Sequence, residues 1–209
     1  MTSEEIYAKI QEFLGEGTTI ICNLHSACYD KNNKTSHYIC SRPGSAYPVI
    51  DFDAVKEKYD AGSAKPRKSA DALVLSPKQK ICFVELKSWH LFLKYYGTVK
   101  DAKKQAKKYE EVLPLKLNDS ISICEDICKK GNVFSTQRIT YVLITDIPIP
   151  EMMIEDPAAY DLFFNIIALG STATEDFCNY QTLQALSKIS GVDTYYWDCH
   201  QFETKIKSI

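Results

Sequence analysis

An aspartate at 71, followed fourteen residues on by a glutamate at 85 and a lysine at 87, are the residues of this chain that could do chemistry by type and spacing. Two carboxylates brought to one point hold a divalent cation, and hard oxygen ligands suit magnesium or manganese. A lysine beside them adds a positive charge where an anionic substrate would lie. That set is what hydrolysis of a phosphodiester requires, because the substrate repels nucleophiles until its charge is neutralised. Plain structural roles stand beside this one: Asp71 could cap a turn, and Glu85 and Lys87 could be an exposed strand pair.

The elements around these residues decide whether they meet. Ala72 to Leu75 and Phe83 to Leu86 are short apolar runs joined by Ser76-Pro77-Lys78-Gln79-Lys80, the pattern of a β-hairpin. Side chains alternate along a strand, so Glu85 and Lys87 share one face and Val84 and Leu86 the other. Pairing Asp71 near Glu85 gathers the acids and the lysine at one end of a sheet. Downstream, Ala102, Ala106, Tyr109, Val112 and Leu113 recur at helical spacing, which predicts a helix over 99–113. Gln105 and Tyr109 are one turn apart at the edge of that apolar face, among Lys100, Lys103, Lys104, Lys107 and Lys108.

Ala70-Asp71, Glu85-Leu86-Lys87 and Gln105-Ala106-Lys107-Lys108-Tyr109, in that order, resemble the PD-(D/E)xK nuclease superfamily, and the glutamine–tyrosine pair resembles its RecB-like branch. Ala70 stands where a proline often precedes the aspartate. The resemblance implies a restriction-endonuclease-like core, a mixed central β-sheet flanked by helices. It also implies Mg²⁺ or Mn²⁺ held by Asp71, Glu85 and the backbone carbonyl of Leu86. Lys87 would hold or help deprotonate the water, or stabilise the transition state. Gln105 would orient the site or contact substrate. Tyr109 would pack the helix to the sheet or touch the strand being cut. A third carboxylate often comes from a helix before the sheet; Glu57 is preferred over Glu5 for its nearness in order.

The whole chain carries a net charge of −2, an argument against a nucleic-acid partner that the local distribution reverses. Between Lys87 and Lys108 stand seven lysines and one acid, Asp101. Lys65, Arg67 and Lys68 lie just before Asp71. With Lys103, Lys104, Lys107, Lys108 and Tyr109 they form the expected nucleic-acid-binding set, whose grip on phosphates would fade as salt rises. The alternative is a lysine-rich helix that is merely solvated.

Hydrophobic residues at 45% and charged residues at 25% describe a globular protein, and 209 residues suit one domain. No membrane-spanning run and no signal-peptide pattern is seen, so an intracellular location, cytoplasmic or nuclear, is expected. The eight cysteines are then expected to be reduced and buried, not paired. Their spacing offers no C-x-x-C pair, so zinc is not expected. An iron–sulfur cluster, which some RecB-like nucleases carry, is not expected because the later cysteines are scattered over some seventy-five residues.

Along the chain, Thr2-Ser3-Glu4-Glu5 predicts a capping box and a helix through Leu14. Strands are expected at 18–22, 139–145 and 194–197, and helices at 53–59, 157–169 and 174–189, with an irregular segment from Asn23 to Pro48. Residues of about 50–147 thus read helix, hairpin, helix, strand, the order of the superfamily core, with helical C-terminal additions. The first fifty and last sixty residues are unexplained by the resemblance. Tyr195, Tyr196 and Trp197 read as a buried terminal strand before they read as a base-stacking platform. The expectation is a single-domain Mg²⁺-dependent nuclease acting on DNA. The alternative is a catalytically inactive nuclease-like domain that binds nucleic acid or a larger protein partner. A homodimer or larger complex is left open.

Overall fold

The computed structural model describes residues 1–15, 22–23, 29–30, 37–38, 47–96, 99–135, 139–150, 158 and 174–209. Its centre is a six-stranded mixed sheet. In chain order the strands are β1 (Cys22–Asn23), β4 (Pro48–Asp51), β5 (Ala72–Leu75), β6 (Ile81–Lys87), β7 (Thr140–Thr145) and β8 (Asp193–Asp198), and they lie side by side in that same order. Two-residue strands β2 (Tyr29–Asp30) and β3 (His37–Tyr38) pair separately. Pairings from β1 to β6 are antiparallel, whereas β6–β7 and β7–β8 are parallel.

β6 and β7 are central and covered on both faces, which is why they read as almost unbroken apolar runs. One face carries Leu73, Phe83, Tyr141 and Leu143 under α1 (Ser3–Leu14), α2 (Phe52–Tyr59), α3 (Trp89–Tyr96), α4 (Val99–Ile127) and α5 (Thr174–Ser187). The other carries Val74, Val84, Leu86 and Ile144 under Phe202, Ile206 and Ile209. Phe202 opens α6 (Phe202–Lys205), and a 3₁₀ turn over Ile206–Ser208 follows.

The hairpin forms with the expected register, Ala72 opposite Val84 and Leu75 opposite Ile81. The capping box is present: Thr2 Oγ1 accepts from Glu5 N–H at 3.2 Å, and Glu5 accepts from Thr2 N–H at 2.8 Å. α1 ends at Gly15, whose φ of +84° is costly for any residue with a Cβ. The predicted helix at 174–189 and the last strand appear as α5 and β8. Tyr196 and Trp197 are buried, and the Tyr196 hydroxyl donates to Asn179 Oδ1 at 2.7 Å.

Three expectations are corrected. The segment Asn23 to Pro48, expected to be irregular, contains β2 and β3 and has its two end residues in β1 and β4, because short polar strands carry little apolar pattern to read. α4 runs to Ile127 and not to Leu113, passing through Pro114. Cys199 is disulfide-bonded, where free thiols were expected throughout; spacing along the chain does not say which sulfurs the fold brings within bonding distance. Cys82, Cys124, Cys128 and Cys178 are free and buried. Most of the predicted helix at 157–169 and most of the predicted strand at 18–22 lie outside the described residues.

Candidate active site

The hairpin sets the first two groups. Asp71 stands just before β5; its N–H donates to Val84 O at 2.9 Å, and its carbonyl accepts from Phe52 N–H at 3.0 Å. Its carboxylate turns along the neighbouring strand, where Oδ2 accepts from Leu86 N–H at 2.6 Å. Glu85 points from β6 into the helix-covered face, while the Leu86 side chain is buried on the opposite one. The backbone thus fixes both acids before any cation is considered.

Between them lies a residue that sequence reasoning missed. Lys116 of α4 puts Nζ 2.7 Å from Glu85 Oε1, 2.8 Å from Oε2 and 3.3 Å from Asp71 Oδ1. The three side chains are largely withdrawn from water, at 8% exposure for Glu85 and 21% each for Lys116 and Asp71. The signal was available in the spacing. Tyr109, Leu113, Leu117, Ser120 and Cys124 are the buried stripe of α4, and Lys116 is three residues past Leu113 and four before Ser120.

α4 also holds the approach to Asp71. Ser120 Oγ accepts from Ala70 N–H at 2.9 Å and donates to the Lys116 carbonyl at 2.7 Å. One turn of helix therefore grips the chain on either side: Asp119 Oδ2 accepts from Lys68 N–H at 2.9 Å.

The other expected residues are distributed around this centre. The Lys87 ammonium lies 5.1 Å from the centre of the Tyr109 ring, a cation–π contact. Tyr109 is buried against Trp89, with ring centres 5.3 Å apart, so it packs the helix to the sheet; its hydroxyl has no hydrogen-bond partner among the described residues. Gln105 is on α4 one turn before Tyr109, and its side chain, like that of Lys103, lies outside the described ones. Lys65, Lys68, Lys104, Lys107 and Lys108 are exposed. Arg67 is engaged, 3.3 Å from Asp126 Oδ2 and stacked 4.9 Å from the Tyr59 ring centre. Glu57 stands exposed on α2. The carboxylate that α2 brings into the field of the pair is Asp53, one turn earlier, which accepts from the Ser69 hydroxyl at 2.7 Å.

Electrostatically the site is short of positive charge. Asp53 is exposed by surface area like Glu57, but the protein crowded around its carboxyl partly desolvates it, and this, then the neighbouring Asp71, raises it. Burial works against the Lys116 ammonium, but Glu85 and Asp71 outweigh it and hold the proton on. One ammonium does not neutralise two carboxylates, and the surplus falls on the more deeply buried. Burial first and Asp71 second push Glu85 up to about 8, with Lys116 and Lys87 only partly offsetting them. The buried Tyr141 phenol of β7 is likewise raised, by burial and then by both acids, and its hydroxyl has no partner among the described residues.

Unfolded, Glu85 ionises near 4.5; folded, it keeps its proton to about 8. Between those values the unfolded chain releases a proton that the folded chain retains, so this group's contribution to stability falls as pH rises. In EDTA, the melting temperature of the wild type is expected to drop relative to Glu85→Gln between about pH 5 and pH 8, then run parallel above. Parallel curves across the whole range would mean that Glu85 titrates as an ordinary carboxylate.

Asp71 and Glu85 fit a divalent ion by donor chemistry. Their oxygens already reach one small cation together, and Mg²⁺ is commonly held by one or two carboxylates while keeping several waters. Among the described residues no cluster of three or more His, Cys, Asp or Glu side chains is close enough to form a full protein cage. Among those same residues no helix is long and apolar enough to cross a membrane. No protein family, no curated protein and no solved structure matches the chain.

Proposed function

We propose that this chain is a divalent-metal-dependent nuclease with a restriction-endonuclease-like core, hydrolysing phosphodiester bonds of DNA. The observation that carries the reading is the convergence of Asp71 and Glu85 on one cation position at the end of the hairpin, with Lys87 on the same face of β6. The order α2, hairpin, α3–α4, β7 supports it, as does the lysine-rich first half of α4.

Asp71 and Glu85 would hold Mg²⁺ or Mn²⁺, with the Leu86 carbonyl added by the resemblance; the ion would neutralise phosphate charge and acidify the attacking water. The Leu86 N–H keeps the Asp71 carboxylate aimed along β6. Lys87 is close enough to Glu85 to lower its proton affinity and supplies positive charge as the transition state gains negative charge. The exposed Lys104, Lys107 and Lys108 offer the phosphate backbone a sequence-independent surface.

One observation favours a second reading, a nuclease-like domain that binds without cutting: Lys116 already serves the acids as a counter-ion. Cleavage assays on plasmid, linear duplex, single-stranded DNA and RNA, in Mg²⁺, Mn²⁺ or EDTA, separate the two. Metal-dependent cutting that is lost in Lys87→Ala is expected. A folded protein that cuts none of these substrates would leave the binding module as the better description.

A further inference from the structure

Resting on the nuclease reading, we propose that the Lys116 ammonium is a built-in counter-cation that bridges Asp71 and Glu85 in the metal-free protein and yields its place to a divalent ion. The two cations compete for the same oxygens. The ammonium sits 2.7 and 2.8 Å from the Glu85 oxygens and 3.3 Å from Asp71 Oδ1. Magnesium draws such oxygens to about 2.0–2.1 Å, which leaves no room for the ammonium beside it. Charge points the same way. A divalent ion brings twice the charge of the ammonium to the same two carboxyl groups, and so favours both in their ionised form.

The scaffold permits the exchange. Lys116 is tied through its backbone, whose carbonyl accepts from Ser120 Oγ, and Ser120 in turn holds Ala70 N–H. Losing the ammonium's contacts therefore leaves the helix turn docked. Asp71 is likewise held by Leu86 N–H independently of the lysine. The stem of Lys116 is a flexible four-carbon chain, and the side chain is 21% exposed, so it has a way out toward water. Once displaced, it carries its charge to the mouth of the site, where an anionic substrate arrives.

Calorimetric titration of Mn²⁺ into the full-length chain tests this, comparing wild type with Lys116→Met. A competing side chain lowers apparent affinity by the fraction of molecules in which it has moved aside, so the variant is expected to bind about tenfold or more tightly. Should wild type bind Mn²⁺ and Lys116→Met bind it no more tightly, the competitor role is overturned while the nuclease reading stands. Should neither folded protein bind Mn²⁺, both fall. If Lys116→Met does not fold, the reactivity of Lys116 in the wild type decides. Acetylation of Lys116, read by peptide mass spectrometry, is expected to rise severalfold on Mn²⁺ addition, and an unchanged rate overturns the proposal.

Discussion

Asp71→Asn is expected to reduce Mg²⁺-dependent cleavage by at least about a hundredfold while leaving the chain folded. Loss of groups that only support a metal ligand already costs about ten- to a hundredfold, and Asp71 is placed as a ligand itself. The substitution is nearly isosteric. The Asn carbonyl oxygen can still accept from Leu86 N–H, the 2.6 Å bond that fixes this side chain. What disappears is one negative charge at the point where Lys116 and Glu85 meet. Single-turnover cleavage with Mg²⁺, beside a circular dichroism melt, reads both halves. Cleavage within a few-fold of wild type would remove Asp71 from the site and with it the argument from the hairpin.

Trp89→Ala is expected to destabilise the fold by about 3–5 kcal/mol, the usual cost of emptying a large aromatic site in a core. Trp89 is fully buried two residues beyond Lys87. Its ring packs 5.4 Å from that of Phe92 and 5.3 Å from that of Tyr109, and its Nε1–H donates to Thr182 Oγ1 at 3.1 Å. One side chain thus joins the end of β6 to α3, α4 and α5. Urea unfolding monitors the loss, and Trp89→Phe should recover part of it by refilling the space without the hydrogen bond. A loss below about 1 kcal/mol in Trp89→Ala would mean that the neighbours collapse into the gap.

What the sequence made legible was local. The hairpin could be read because two short apolar runs flank a Ser-Pro turn, and its register puts Val84 and Leu86 together on one buried face. The acid pair followed from that register. Lys116 was passed over although the spacing of the buried stripe contains it, because Pro114 carries no N–H for the Glu110 carbonyl and reads as a helix stop. Tertiary packing of the Leu113, Leu117, Ser120 and Cys124 stripe carries α4 through it. Asp53 was passed over for Glu57 for a related reason. The two are one turn apart, and only the docking of α2 beside Ser69 distinguishes them. β4 is four residues long and opens with a proline, so its pairing to β5 is visible only once the sheet exists.

The way the charges are distributed along the chain has a consequence for how the molecule assembles. Asp71 and Glu85 are brought together by a short hairpin, a contact of low loop entropy that can form early. Their counter-charge is 31 residues beyond Glu85, on a helix that must dock against the sheet before its ammonium arrives. The repulsion is thus set up locally and relieved at long range, so the docking of α4 removes a conflict that the hairpin itself created.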